Sequence, residues 1–306
     1  MEFFKHNTAI RFMALRKWAM GFSCFIIFLC ILTLCMKGIN WGLEFTGGTE
    51  VIASFSTQAD LEAVRTTLEQ ANYKDGKVQI YGTPKTVLIR LGGNINTQQD
   101  QDIGKEVVAH LPGAVLQSTA YIGPQVGKEL ATNGALALVL ALLGTAIYIA
   151  VRFEYRFAVS AAVSLIHDPL IILGIFSYFQ MEFDLTSLAA VLTVMGYSLN
   201  DTIVVFDRIR ENFRKNRSGT PIEIVNVSVN QTLSRTIMTS GLTLLAVLSL
   251  FFFGGETLHG FATAMVVGIV VGTYSSIYVA GALAVALGLN RSDLLPPPRQ
   301  AVDDMP

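Results

Sequence analysis

Three side chains of this chain, Asp201, Asp168 and His167, fall inside apolar runs where a polar group is costly, and the chemistry open to them is proton binding. Asp201 lies in Leu185–Phe206, an otherwise apolar run long enough to cross a bilayer. A membrane-spanning helix needs roughly 20 such residues at about 1.5 Å each. A charge at that depth costs at least about 2.5–3.5 kcal/mol, so the residue is a candidate functional site. Asp201 sits about 9 Å from the basic end of its run, too deep for a loop and too short to reach water. Ser198, Asn200 and Thr202 flank it, so this stretch is expected to face protein or water. A carboxyl group held there could load and release a proton. The alternative is a permanently protonated acid in a structural hydrogen bond.

Arg235 precedes the next apolar run on the same side of the membrane and could reach the Asp201 level. Its spacing alone favours an interfacial anchor. Asp168 falls near the middle of another run, Phe157–Phe179, and is followed by Pro169, which frees a backbone carbonyl. His167 is expected about 100° away on the helix, so the two need not cooperate. A relay and a structural polar contact at the kink both remain open for them.

The elements that must position these groups can be read from composition. Of 306 residues 52% are hydrophobic and 15% charged, and mean hydropathy is +0.50, above what a soluble globular domain carries. Six runs have spanning length: Ala19–Met36, Gly134–Val151, Phe157–Phe179, Leu185–Phe206, Thr236–Phe253 and Phe261–Ala284. Arg11, Arg16 and Lys17 put residues 1–18 in the cytoplasm, and the basic segments Arg152–Arg156 and Asp207–Arg235 fall inside on every second loop. Gln180–Asp184 and Gly254–His259 carry only acids or a histidine and fall outside. Residues 290–306 then form a cytoplasmic tail. The first run is longer than a signal-peptide core and no small-x-small pattern follows it, so it is expected to stay as a transmembrane helix.

Between the first two runs, residues 37–133 form a small outside domain. Strand-like Val51–Phe55, Lys77–Tyr81, Lys85–Leu91 and Ala114–Ile122 alternate with helical Ala59–Ala71 and Gln98–Leu111. The order β-α-β-β-α-β is that of a ferredoxin-like α+β domain. In the last run Ala264, Gly268, Gly272, Ser276 and Ala280 recur every four residues, a stripe that lets another helix approach closely. Packing within the chain and packing against a partner are both open.

Other chemistries find no support. Gly47–Gly48 is not a phosphate loop, because no Gly-Lys-Ser/Thr follows. His6, His110, His167 and His259 lack metal-ligand spacing. Cys24, Cys30 and Cys35 share one helix and cannot bridge one another. The outside segment has no visible nucleophile–base pair, so no enzyme is expected, nor any cofactor or metal. The basic loop suits topology and anionic lipid better than nucleic acid.

Three stretches carry a family resemblance that spans nearly the whole chain. Gly196–Asn212 (GYSLNDTIVVFDRIREN) resembles the hallmark segment of the SecF family of bacterial Sec translocase subunits. Gly42–Gly48 (GLEFTGG), with Gly42, Glu44, Phe45, Gly47 and Gly48, is similar to that family's G-x-D-F-x-G-G, and Val229–Gly241 also agrees. Glu44 stands where the family usually has Asp, which puts any tight local hydrogen bond there in doubt. The resemblance implies a polytopic α-helical membrane protein of the bacterial inner membrane, half of a resistance–nodulation–division type bundle, with a periplasmic ferredoxin-like domain. It implies partnership with SecD, the SecY/SecE/SecG channel and YajC, and use of the proton-motive force to help exported unfolded polypeptides leave the channel. It places the proton relay on Asp201 and Arg235. Two alternatives remain: half of a proton-coupled lipid or small-molecule exporter, and a non-transporting translocase scaffold.

Overall fold

A computed structural model describes residues 9–73, 76–92, 103–215 and 219–290. The expected helical residues 98–102, Arg217, the first eight residues and tail residues 291–306 lie outside the described residues.

Six helices among the described residues are long and apolar enough to cross a membrane. They are α1 (Arg16–Lys37, entered through the 3-10 turn Phe12–Leu15), α5 (Pro124–Arg152), α6 (Tyr155–Phe179), α7 (Leu185–Lys215), α8 (Pro221–Phe253) and a last span beginning with α9 (Glu256–Ser275). That span passes through a π-helical turn, Ser276–Gly281, into α10 (Ala282–Ala286). Helices α6, α7 and α9 bury half or more of their apolar windows inside the protein, whereas α1, α5 and α8 leave most of theirs exposed. Both buried aspartates of the bundle, Asp168 and Asp201, sit on these central helices, while α8 adds the buried hydroxyls of Ser228, Thr232, Thr236 and Ser240.

Several helices run beyond the apolar windows of the sequence. Helix α5 starts at Pro124, ten residues before the expected Gly134, because Gly123–Pro124 supplies an extended residue and a proline suited to a first turn. The segment read as a basic loop, 207–235, is mostly helix. Helix α7 continues to Lys215, and α8 begins at Pro221 behind a capping box in which Thr220 and Glu223 satisfy each other's backbone N–H groups. The extension holds because Ile209, Phe213, Ile224, Val225 and Val229 pack with Phe157 and Phe206 into one buried cluster. Hydropathy marks only the lipid-facing length of a helix, and amphipathic ends escape it.

The soluble domain contains β2 (Gly48–Phe55), α3 (Leu61–Gln70), β3 (Lys77–Tyr81), β4 (Thr83–Leu91), α4 (Ile103–Ala109) and β5 (Ala114–Ile122). The sheet order is β3-β4-β2-β5 and every pairing is antiparallel, the split-βαβ arrangement. Val51 pairs with Ile89, and Ile89 pairs in turn with Val78. Their inward faces close on Val64, Leu68, Ile103 and Val107. Between this sheet and the bundle lie β1 (Asn40–Trp41) and α2 (Leu43–Thr46). Strand β1 pairs in parallel with β6 (Glu182–Phe183), the two residues just before α7, so the soluble domain is tied to the mouth of α7.

Candidate functional site: two buried carboxylates and a tether

Asp201 and Asp168 are 4% and 1% exposed, so both count as intramembrane carboxyl groups rather than surface acids. Their settings differ. Asp201 faces α8, where the charge of Arg235 and the hydroxyl of Ser240 act on it, while its Oδ2 is buried without a hydrogen-bond partner among the described residues. Ser240 also pairs with Thr273 on α9 at 2.9 Å, so three helices meet beside Asp201. Arg235 itself is exposed on α8, and Asn200 is exposed on α7. The arrangement combines a buried acid, a cation on the next helix and one oxygen without a partner among the described residues, which suits reversible protonation.

Asp168 is held on every side. Its Oδ2 accepts from Ser198 on α7 at 2.5 Å and from Ser275 on α9 at 2.9 Å. Ser164 donates to Ser275 at 3.1 Å. Ser198, which flanks Asp201 in sequence, bonds to Asp168, because its hydroxyl points from α7 toward α6. The sequence left open whether His167 and Asp168 cooperate; in the structure His167 Nδ1 lies 2.8 Å from Asp168 Oδ1. Adjacent helical residues do not normally face each other. Here the imidazole lies nearly parallel to the Tyr274 ring, with centroids 6.5 Å apart, and both polar side chains converge on α9.

The small-residue stripe makes this convergence possible. A Cβ on Gly268 would stand 2.2 Å from a methyl of Val194, and one on Gly272 would stand 2.9 Å from the Cβ of Ser198. Ala264 and Ser276 are fully buried. Gly268 and Gly272 are thus used inside this chain, for the contact between α7 and α9.

The Gly42–Gly48 segment forms the tether. Gly42 N–H donates to the carbonyl of Phe183, and Phe45 stacks on Phe183 at 6.3 Å. Gly47 (φ +68°) and Gly48 (φ +134°) adopt backbone conformations suited to glycine, and a Cβ on Gly48 would stand 2.4 Å from the Leu91 carbonyl oxygen. Glu44 Oε2 is buried without a partner among the described residues. Burial pushes the Glu44 carboxyl above its ordinary value, and the nearby charges of Asp184 and Glu50 add to this.

The sequence reading missed Arg90 and Glu182. Arg90 on β4 bonds to Glu50 of the same sheet at 3.1 Å and to Glu182 at the mouth of α7. The available signal was one cation ending the apolar run Val-Leu-Ile, but its partners are distant in sequence. An apolar cavity of about 320 Å³ lies beside the tether, lined by Trp41, Phe45, Leu138, Leu173, Phe183 and Leu188 among others, with no residue from the four-stranded sheet. Among the described residues no group of three His, Cys, Asp or Glu side chains could hold a metal.

Known proteins resemble this chain over most of its length. Residues 103–290 match the family model "Protein export membrane protein SecD/SecF, C-terminal", and residues 34–59 match the "SecD/SecF GG Motif". The protein translocase subunit SecF of Vibrio alginolyticus is 47% identical, covering 97% of this chain and 95% of that one. The same subunit of Pseudomonas aeruginosa is 46% identical over 97% and 98%. The crystal structure of SecDF, a translocon-associated membrane protein from Thermus thermophilus, superposes with a TM-score of 0.85 at 36% identity. It covers 93% of this chain, which spans 39% of the SecDF chain.

Proposed function

The chain belongs to the SecD/SecF family of protein export membrane proteins, and from that premise we propose that it is an accessory subunit of the protein translocase driven by proton binding at Asp201. The carrying observation is the buried Asp201, whose Oδ2 has no partner among the described residues while Arg235 acts on it from the next helix. Protonation removes the attraction between Asp201 and Arg235 and lets α7 and α8 shift. The outer end of α7 is bonded through Glu182 to Arg90 and through β6 to β1, so a shift of α7 is felt by the soluble domain. That domain, on the periplasmic side of the bacterial inner membrane with both chain termini in the cytoplasm, then acts on unfolded polypeptide leaving the SecY/SecE/SecG channel. SecD supplies the other half of a resistance–nodulation–division type bundle, YajC is a further partner, and no enzyme chemistry or cofactor is needed beyond the proton gradient.

The test is Asp201→Asn in the SecD-containing complex, assayed for late-stage export under an imposed proton gradient. Loss of the gradient-dependent stimulation is the expected result, and wild-type export from the variant refutes the reading. The exporter alternative draws on the apolar cavity, which Ile39, Trp41, Phe45 and Thr46 of the outside segment line together with α5, α6 and α7, although no residue of the four-stranded sheet reaches it. A scaffold built on the Ala264–Ser276 stripe would need a face that Gly268 and Gly272 already give to α7.

A further inference from the structure

We infer that His167 and Asp168 form a second proton-binding site in this chain, on the outer side of Asp201, whose occupancy is passed to α7 through Ser198. The inference deepens the reading of Asp201 as a proton switch and rests on it for the direction of proton flow. It stands on four features of the geometry.

First, the pair lies in the interior of the bundle, with Asp168 at the fourteenth position of the 25-residue α6. His167 is 2% exposed and Asp168 1%. A net negative charge there is costly, and one added proton cancels it. Second, the atom able to take that proton is identifiable. Asp168 is already engaged by Ser198, Ser275 and His167 Nδ1, whereas His167 Nε2 is buried with no partner among the described residues. Uptake of a proton at Nε2 makes the ring a cation, its Nδ1–H donates to Asp168 Oδ1, and the pair becomes neutral overall. Loss of the same proton returns the net charge to minus one.

Third, among the described residues the groups around the pair offer no competing countercharge. Helix α9 presents the Tyr274 ring and Ser275, and the Tyr274 hydroxyl donates to the Ala19 carbonyl of α1 and pairs with Ser23. Helix α7 presents Ser198, with Asp201 one turn further on. Helix α5 packs against this part of the bundle through Leu138, Ala141 and Leu142. The charged group nearest along α7 is therefore a second acid, Asp201, whose ionisation favours a cationic His167. Fourth, the site bridges α6, α7 and α9 where one of them changes its helical geometry. Ser198 ties it to α7 one turn outward of Asp201, and α9 changes from α to π geometry at Ser276, the residue after Ser275. Such π turns within helices gather at functional sites.

The experiment uses the full chain with its SecD partner in lipid vesicles, with His6, His110 and His259 replaced by Gln so that His167 is the sole histidine. Isotope-labelled imidazole is followed by magnetic resonance across the pH range that leaves the complex intact. The expected result is a change of the ring from neutral to cationic within that range, displaced when Asp168→Asn removes the countercharge. Asp168→Asn should also lower gradient-driven export by roughly a hundredfold or more, the scale of a lost proton-transfer group. A ring that stays in one state throughout, or a transition unmoved by Asp168→Asn, overturns the inference. A histidine held only for structure gives that result. Asp201→Asn separates the two readings. A titrating His167 beside normal export in Asp201→Asn would refute Asp201 as the switch. A silent His167 beside defective Asp201→Asn would refute the second site alone.

Discussion

Asp168 and Asp201 are the same residue type on neighbouring central helices, nearly equally buried, yet they are built in opposite ways. Asp168 has every direction filled: two serine hydroxyls on one oxygen and an imidazole on the other. Asp201 keeps a buried oxygen unpartnered among the described residues and feels Arg235 from the next helix. An intramembrane acid can thus be stabilised by direct hydrogen bonds, which lock three helices together, or left partly unsatisfied, which keeps it responsive. The hydrogen bonds already made decide which atom remains to take a proton. Beside Asp168 it is a histidine nitrogen, and at Asp201 it is a carboxylate oxygen.

Substitutions can break or sharpen this contrast. Asp168→Ala strips partners from Ser198, Ser275 and His167 together and should destabilise the bundle by about 3–5 kcal/mol. Asp201→Asn, which loses no hydrogen bond at Oδ2, should change stability by less than about 1 kcal/mol while removing gradient-driven export. Unfolding of the two variants in the same detergent compares them directly, and equal losses would erase the distinction. Next in size is Gly272→Ala. Its new methyl meets the Cβ of Ser198 at 2.9 Å and should cost about 1–3 kcal/mol by pushing Ser198 from Asp168. The same change should leave the Asp201→Asn export phenotype unaltered, which the double variant tests. Ser275→Ala removes one of the two hydroxyls on Asp168 Oδ2 and should cost about 1–2 kcal/mol, read from the same unfolding curves.

The smallest effect lies outside the bundle, at the tether. Glu44 has its carboxyl pushed up by burial, so the folded state holds the acid form more tightly than the unfolded chain does. Its contribution is therefore fully present below the ordinary value of 4.5 and is lost as pH rises through the raised value. Glu44→Gln should raise the melting temperature slightly at neutral pH, and the gain should vanish in acid. A gain that persists in acid would mean that shape, not charge, is what Gln improves.

Much of this was legible in order along the chain. Hydrophobic runs and loop charges are local properties, and so are the alternating strands and the Gly-rich tether. The capping box that begins α8, Thr220 to Glu223, was also in plain view, but the apolar window starting at Thr236 hid it. The pairing of Ser198 with Asp168 was not legible, because Ser198 is closer to Asp201 in sequence and a helix face alone does not say which neighbour it meets. Arg90 escaped for a related reason: its two carboxylates come from β2 and from the loop before α7, 40 and 92 residues away.

The sequence by itself determined that this is a multi-pass membrane chain with a split-βαβ domain, and that Asp201 and Asp168 lie within runs of spanning length. Those conclusions follow from periodicity, length and the cost of burying charge, which act residue by residue. The tertiary structure alone decided how the acids differ. The approach of α9 to α7 over Gly268 and Gly272 brings Ser198 and Ser275 to one carboxylate and leaves the other with a free oxygen. Hydrogen bonds act over about 3 Å, so only the packing of helices distant in sequence can say which buried acid is held and which is poised.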